Sequence, residues 1–232
     1  DGDDAGTNRD PGSRANGSPM PYTPRHEAAR GTLGLLLIGV LLLSGGCRYI
    51  SRLGTDLRGQ EYGKTFYVGG AGALGHVGTT EVPKGLRDGG WKGAVEVYGW
   101  QSIVGGTLRD QMDIGRNKQE ADRFARKLLE YMDEHPGRPV NVIALSAGTG
   151  ITTWAIQSLP AGYEVNHVVF VGSSLSRDYD LSPALRRIRG NLWNFYSTND
   201  PILRYGVPVA GTVDREYAAS VAGLYGFSPP TG

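Results

Sequence analysis

The fold is decided by the stretch Val140-Asn141-Val142-Ile143-Ala144-Leu145-Ser146-Ala147-Gly148-Thr149-Gly150. Its first six residues are mostly Val, Ile, Leu and Ala, which is typical of a parallel strand that is covered on both faces. Apolar residues then recur at helical spacing from Ile151 to Leu159. The stretch therefore predicts a buried strand that ends at Ser146 and turns directly into a helix.

Small residues stand on both sides of Ser146, with Ala144 two positions before it and Gly148 two positions after it. A sharp strand-to-helix turn brings its flanks together, so only small side chains fit there. The pattern departs from G-x-S-x-G only by Ala144, and it resembles the nucleophile elbow of the α/β-hydrolases. The alternative is an ordinary turn, since Ser-x-Gly also occurs there after an apolar run.

Further apolar runs predict other strands of the same sheet, and an amphipathic pattern from Asn117 to His135 predicts a helix. Strands that alternate with helices indicate a parallel sheet of several strands flanked by helices on its faces. One more helix is expected from Val213 to Leu224. The predicted strands besides the one before Ser146 are residues 64–68, 94–98, 166–172 and 191–197.

A glycine-rich loop, Gly69-Gly70-Ala71-Gly72, follows the first of these strands. It lacks the Lys-Ser/Thr pair of a P-loop and the full G-x-G-x-x-G spacing, so a phosphate-binding role is not indicated. The loop precedes Ser146 by about one strand–helix–strand unit, where the α/β-hydrolases have their oxyanion loop. It is similar to the family's H-G-x-G, with Gly69 in place of the His. A simple tight turn is the alternative.

This resemblance implies a role for two backbone N–H groups, those of Ala71 and Ala147, as an oxyanion hole. Gly70, Gly72 and Gly148 would support the hole, because glycine lets the main chain approach a developing negative charge.

Asp200 lies in the loop after the last predicted strand, in the sequence Tyr-Ser-Thr-Asn-Asp-Pro-Ile-Leu. This loop resembles the position of the triad acid in the α/β-hydrolases. Asp178 and Asp180 are alternative acids, since some family members place the acid one strand earlier. The other interpretation of Asp200 is a side chain that caps a turn before proline.

A serine hydroxyl is a poor nucleophile at neutral pH and needs a base, usually a histidine. In the family this histidine follows the acid after one more strand, but no histidine follows His167 in this sequence. His76 belongs to the glycine-rich loop, and His135 and His167 are expected to be structural. We therefore expect either a domain whose last strand and helix are absent from the chain, or a degenerate hydrolase that binds without turnover.

The resemblance thus implies a serine hydrolase that acts on small carboxylic esters without a cofactor, and a non-catalytic envelope lipoprotein is the alternative. With 24 basic and 23 acidic residues the formal net charge is +1, which gives no indication of a nucleic-acid partner. The single Cys and four scattered His have no metal-ligand spacing, so no metal site is predicted.

The N-terminal region reads as a targeting segment. Residues 1–19 are polar and rich in Gly, Asp, Asn, Ser and Pro, and are expected to be disordered or a non-native leader. Met20 is a candidate start. Basic residues, an apolar run from Leu33 to Leu43, and small residues then end at Cys47, which is the layout of a secretory signal over 20–47.

The apolar run is shorter than the about 20 residues that span a bilayer comfortably. Cys47 stands where a bacterial lipoprotein signal has its lipidated cysteine, although Ser44 replaces the more usual Leu of that motif. An uncleaved anchor with an incidental Cys is the alternative. We therefore expect a protein of the bacterial cell envelope, membrane-anchored or secreted, with a tether over 48–62 and the hydrolase domain over 63–232.

Acylation of Cys47 can be tested directly. Metabolic labelling with a fatty-acid analogue should mark the native protein and leave the Cys47→Ser variant unmarked, because cysteine is the acceptor in a lipoprotein signal. Equal labelling of both proteins would rule the lipoprotein interpretation out.

Overall fold

The computed structural model of the protein describes residues 54–101, 106–216 and 220–229. Five strands form one sheet in which every neighbouring pair is parallel, in the order β2-β1-β3-β4-β5. The predicted parallel α/β architecture is therefore confirmed. The strands are β1 (Lys64–Val68), β2 (Ala94–Tyr98), β3 (Val140–Leu145), β4 (His167–Val171) and β5 (Leu192–Phe195).

Helices connect the successive strands. A 3₁₀ turn, Gly72–His76, follows β1, and another, Gln60–Tyr62, precedes it. Between β3 and β4 the chain forms a helix that starts three residues after the strand ends. The helices are α1 (Glu81–Asp88), α2 (Gly106–Met112), α3 (Ile114–Glu134), α4 (Gly148–Gln157), α5 (Ser182–Leu185), α6 (Pro201–Ala210) and α7 (Ala222–Tyr225).

The helix expected from Val213 to Leu224 is wrong over the described part of that segment, where only α7 is helical. A turn occupies its beginning instead, because Arg215 adopts a left-handed backbone with φ 71°. The Glu216 N–H donates to the Thr212 hydroxyl at 2.9 Å, which closes this turn. Local side-chain hydrogen bonds of this kind compete with helix formation.

Residues 54–62, expected to belong to a tether, contact the sheet. Asp56 forms an antiparallel bridge with Val95 of β2, with both N–H···O distances at 2.8 Å. The Asp56 carboxylate also accepts from Arg58 and Arg87. These hydrogen bonds, and above all the one from the Arg58 side chain, hold the pKa of Asp56 well below its usual range.

The main core lies between the sheet and helices α3 and α4. Phe124 of α3 is fully buried, and its ring meets Phe66 edge-on at 5.5 Å and Tyr98 at 4.6 Å between centroids. Beside it, Glu96 accepts from Lys64 and Lys127, both at 2.7 Å. The amphipathic pattern of α3 therefore buries its apolar stripe against this face of the sheet.

The other face of the sheet is covered unevenly. Tyr67 of β1 is buried there and donates to the backbone of the loop before α1. Over β4 and β5, Val171 is 39% exposed, Trp193 44% and Phe195 61%. Parallel sheets normally bury both faces, so this uncovered apolar surface within the described part of the chain is a departure from the usual arrangement.

The predicted leader, the secretory signal and Cys47 lie outside the described residues. None of the described helices is both long enough and apolar enough to cross a membrane.

The core contact of Phe124 generates a prediction on stability. Phe124→Ala should lower the free energy of unfolding by about 3–5 kcal/mol, because it removes a buried ring and leaves a cavity. Chemical denaturation measures this change. The matched control is Leu57→Ala, at an exposed side chain, which should change stability by less than about 0.5 kcal/mol. Equal stabilities for the two variants would contradict the described core.

Candidate active site

Ser146 lies directly after β3 in a turn that leads into α4, at the carboxyl end of the sheet. Its backbone is left-handed with φ 52°, which costs a non-glycine residue roughly 1–3 kcal/mol and needs support from its surroundings. The Ser146 N–H donates to Val171 O at 3.0 Å, and Ser146 O accepts from the Thr149 hydroxyl at 2.6 Å. These bonds fix the strained residue on both sides.

Gly148 allows the turn to pack against the end of β1. A Cβ at this position would lie 2.4 Å from Gly69 O and 2.5 Å from Val68 O, closer than any real Cβ contact. Both acceptors are backbone atoms, so they cannot move aside cheaply. This close approach explains why the sequence pattern requires a small residue two positions after Ser146.

The glycine-rich loop after β1 lies against the same turn. A Cβ built on Gly70 would be 3.3 Å from Ser146 Cβ, so the loop passes immediately beside the serine. Within the part of the chain that the structure describes, no acceptor is recorded for the backbone N–H of Ala71 or for that of Ala147. Two main-chain donors thus lie near Ser146 without a partner from the described residues.

Side chains from the region after β2 hold the polar groups of this loop in place. Three consecutive peptide units of the loop form hydrogen bonds with these side chains, two through their carbonyls and one through its N–H. The contacts are Trp100 Nε1 to Gly69 O at 2.8 Å, Gln101 Nε2 to Gly70 O at 2.8 Å, and Gly72 N to Asp110 Oδ2 at 2.9 Å. The loop is therefore built into the fold by specific hydrogen bonds.

Asp110 is a fully buried acid that the sequence analysis did not identify. Its charge is compensated by Arg116, with Nη1 3.1 Å from Asp110 Oδ1. The same guanidinium donates to Trp100 O and lies over the Trp100 ring at 5.8 Å. A buried carboxylate needs such a partner, but the pairing depends on tertiary contacts that no local sequence pattern reveals.

A cavity of about 320 Å³ opens beside the serine. Ser146 and Asp200 both line it, and most of the other lining residues are apolar. They are Leu74, Val77, Leu145, Val171, Gly172, Phe195, Tyr196, Ser197, Ile202 and Leu203. A wall of this kind suits an uncharged, partly apolar ligand that is oriented by a few polar groups.

The buried Tyr67 side chain holds the backbone of Val77, one of the residues that line the cavity. The Tyr67 hydroxyl donates to Val77 O at 2.5 Å. Burial, with a smaller contribution from the charge of Glu81, raises the pKa of Tyr67 to about 12. The phenol therefore stays protonated, and keeps this donor, throughout the neutral pH range.

The two carboxylate oxygens of Asp200 have different surroundings. Its Oδ1 accepts from the N–H groups of Ile202 at 2.9 Å and Leu203 at 3.1 Å, so it caps the start of α6. Its Oδ2 lies 3.4 Å from the position of a Cβ built on Gly172, which also lines the cavity. The structure thus places one oxygen in the cap and the other beside the cavity.

The alternative acids lie elsewhere. Asp178 accepts from the Ser228 hydroxyl at 2.5 Å, and it is exposed. Asp180 accepts from Ser182 N at 2.9 Å, and hydrogen bonds from Ser182 lower its pKa. Neither lines the cavity, so of the three candidate acids only Asp200 shares it with Ser146.

Among the described residues, no histidine lines the cavity. His167 begins β4 and its Nδ1 accepts from Asn191 N at 3.2 Å. His135 ends α3 and stacks on Tyr131 at 4.5 Å. Both are near the amino ends of the strands, at the sheet edge opposite to Ser146. His76 closes the 3₁₀ turn after the glycine-rich loop, between the cavity residues Leu74 and Val77.

No known protein-family profile matches the chain, and no curated protein sequence matches it significantly. Within the described ranges, no group of three or more His, Cys, Asp or Glu residues is arranged to hold a metal ion.

The close approach of Gly148 generates a prediction with a matched control. Gly148→Ala should destabilise the protein by about 1–3 kcal/mol, because its methyl group would press on two backbone carbonyls of the β1 end. Gly85→Ala in α1 meets nothing within 4 Å and should instead stabilise by about 1 kcal/mol through helix propensity. Thermal and chemical unfolding of both variants give the comparison. If both substitutions changed the free energy of unfolding in the same direction, the described turn would be contradicted.

Proposed function

We propose that the protein is a serine hydrolase of the α/β-hydrolase type that cleaves carboxylic esters. The observation that carries this proposal is Ser146 itself, a strained left-handed residue at the carboxyl end of a central strand, open to an apolar cavity. Strain of this kind clusters at functional sites, where the surrounding structure compensates for it.

In this proposal Ser146 Oγ attacks the ester carbonyl. The tetrahedral intermediate then places its negative oxygen against the N–H groups of Ala147 and Ala71, for which no protein acceptor is recorded among the described residues. Collapse of the intermediate expels the alcohol and leaves an acyl group on Ser146, which water removes. Asp200 orients the histidine that moves the proton in both steps.

The order of the parts supports the α/β-hydrolase type. Glycine-rich loop, serine turn and acid follow β1, β3 and β5 in turn, and all lie at the carboxyl ends of parallel strands. In open sheets of this strand order, ligands bind in the crevice at the carboxyl ends of β1 and β3. This is the topological switch point, where successive strands begin to be added on the other side of β1. Ala71 follows β1, and Ser146 and Ala147 follow β3, so the proposed groups come from the two strands that border this point.

We propose that a further strand and loop beside β5 supply the histidine base, since no described histidine lines the cavity. Its support is the exposed side chain of Trp193 on β5, which does not line the cavity. One further strand beside β5 and a helix over this side chain would complete the burial that parallel sheets require. Such an addition brings a loop to the carboxyl edge of the sheet, next to Asp200.

A non-catalytic envelope lipoprotein is the second candidate, favoured by the absence of a histidine among the described residues that line the cavity. In that case the cavity would bind a ligand without turnover. In both cases we propose attachment to the bacterial cell envelope through the N-terminal region.

The reactivity of Ser146 tests the proposal. A fluorophosphonate should label the 232-residue chain slowly, because the oxyanion donors remain while the base is lacking; without one triad member only a residual ~10³–10⁴-fold rate over water is expected. Ser146→Ala should abolish labelling. Ser197→Ala, which removes another hydroxyl lining the same cavity, should leave the labelling unchanged. Mass spectrometry of the labelled peptide identifies the site.

The same assay on a chain extended with the residues encoded after Gly232 tests the origin of the base. Labelling and ester turnover should rise by orders of magnitude and depend on Ser146 and on one added histidine. If labelling of the extended chain is equal in the native and Ser146→Ala proteins, the non-catalytic lipoprotein is the better account.

A further inference from the structure

We infer that Gln101 is a positioning residue that aims the Ala71 N–H at the substrate oxygen. The inference rests on the proposed function, because it concerns the proposed oxyanion hole. Its observation is the hydrogen bond from Gln101 Nε2 to Gly70 O at 2.8 Å. Only the amide nitrogen can face a carbonyl oxygen, so the orientation of the Gln101 side chain follows from its partner.

The peptide bond between Gly70 and Ala71 transmits this contact. The carbonyl of Gly70 and the N–H of Ala71 belong to the same planar trans unit and point in opposite directions. When Gln101 holds Gly70 O on one side, the Ala71 N–H must point to the other side. Gly70 borders Ser146, so the direction of this N–H decides whether it serves the reacting carbonyl.

The neighbouring peptides are fixed by other groups. Trp100 binds Gly69 O, and Asp110 accepts from Gly72 N. The peptide between Gly70 and Ala71 lies between these two anchors, and Gln101 is the side chain that binds its carbonyl. Glycines on both sides of Ala71 permit several backbone conformations. A specific contact is therefore needed to select one of them before the substrate binds.

The Gln101 amide occupies space that is open because residue 75 is a glycine. A Cβ built on Gly75 would lie 2.4 Å from Gln101 Cδ and 2.5 Å from Nε2. Gly75 has no positive φ, so an alanine is compatible with its backbone and would act mainly by displacing the flexible Gln101 side chain. Two independent substitutions can thus remove the same hydrogen bond. A substitution of Gln101 removes the donor group, and an alanine at Gly75 displaces the Gln101 side chain.

The test uses saturation kinetics of fluorophosphonate labelling at Ser146. In Gln101→Met, a side chain of similar size that cannot donate, the maximal labelling rate should fall by about tenfold, less than the ~10²–10³ expected for complete loss of an oxyanion donor. The inhibitor concentration at half-maximal rate should change less than twofold, because the oxyanion contact forms only in the transition state. The melting temperature should stay within a few degrees.

Gly75→Ala should reproduce this pattern, and the double variant should be no slower than the slower single variant, since both remove one contact. A native labelling rate in Gln101→Met would overturn the inference. So would additive losses in the double variant, or a rate loss that follows a large fall in melting temperature. If the native protein shows no Ser146-dependent labelling, the proposed function fails and this inference fails with it, whereas normal native labelling with an unaffected Gln101→Met overturns the inference alone.

Discussion

The candidate site depends on the contact between the start of α4 and the end of β1. Gly148 lies so near Val68 O and Gly69 O that no side chain fits there. Because of this contact, the turn after β3 and the loop after β1 share one small region, and Ser146 lies beside Gly70. The left-handed strain at Ser146 is then supported by Val171 and Thr149, so a single close approach organises the whole candidate site.

Strand order explains why Ser146 lies beside the loop that follows β1. From β1 the chain goes first to β2 on one side, and later returns past β1 to form β3 on the other. Phe124 of α3 covers one face of β1, whereas Tyr67 on the opposite face donates to the loop before α1. β1 and β3 are neighbours in the sheet, and the segments that follow them meet at its carboxyl edge, where Gly148 packs on the end of β1. The cavity beside Ser146 opens at this edge, and most of its lining residues lie at or after the ends of β3, β4 and β5.

The sequence predicted the sheet well because β1, β2 and β3 are short runs rich in apolar and aromatic residues that end at a glycine or at Ser146. Their bounds agree with the predicted ones. It missed α1, which contains Pro83 and Gly85 and has no extended apolar stripe. The serine turn was predictable because its requirement for small residues is local. Asp110 and Gln101 were not, since a buried polar side chain is recognisable only once its distant partners are known.

Asp200 has an observed structural role that is compatible with its proposed catalytic one. A capping aspartate needs one acceptor oxygen for the first N–H groups of a helix, and Oδ1 of Asp200 supplies it to Ile202 and Leu203. This bond also fixes the rotation of the carboxylate, so Oδ2 is held toward Gly172 and the cavity rather than free to turn. A triad acid needs the same property, because it orients a histidine only if its own position is fixed. Asp178 and Asp180 also accept hydrogen bonds, so what distinguishes Asp200 is its place at the cavity beside Ser146, where the proposed function needs an acid.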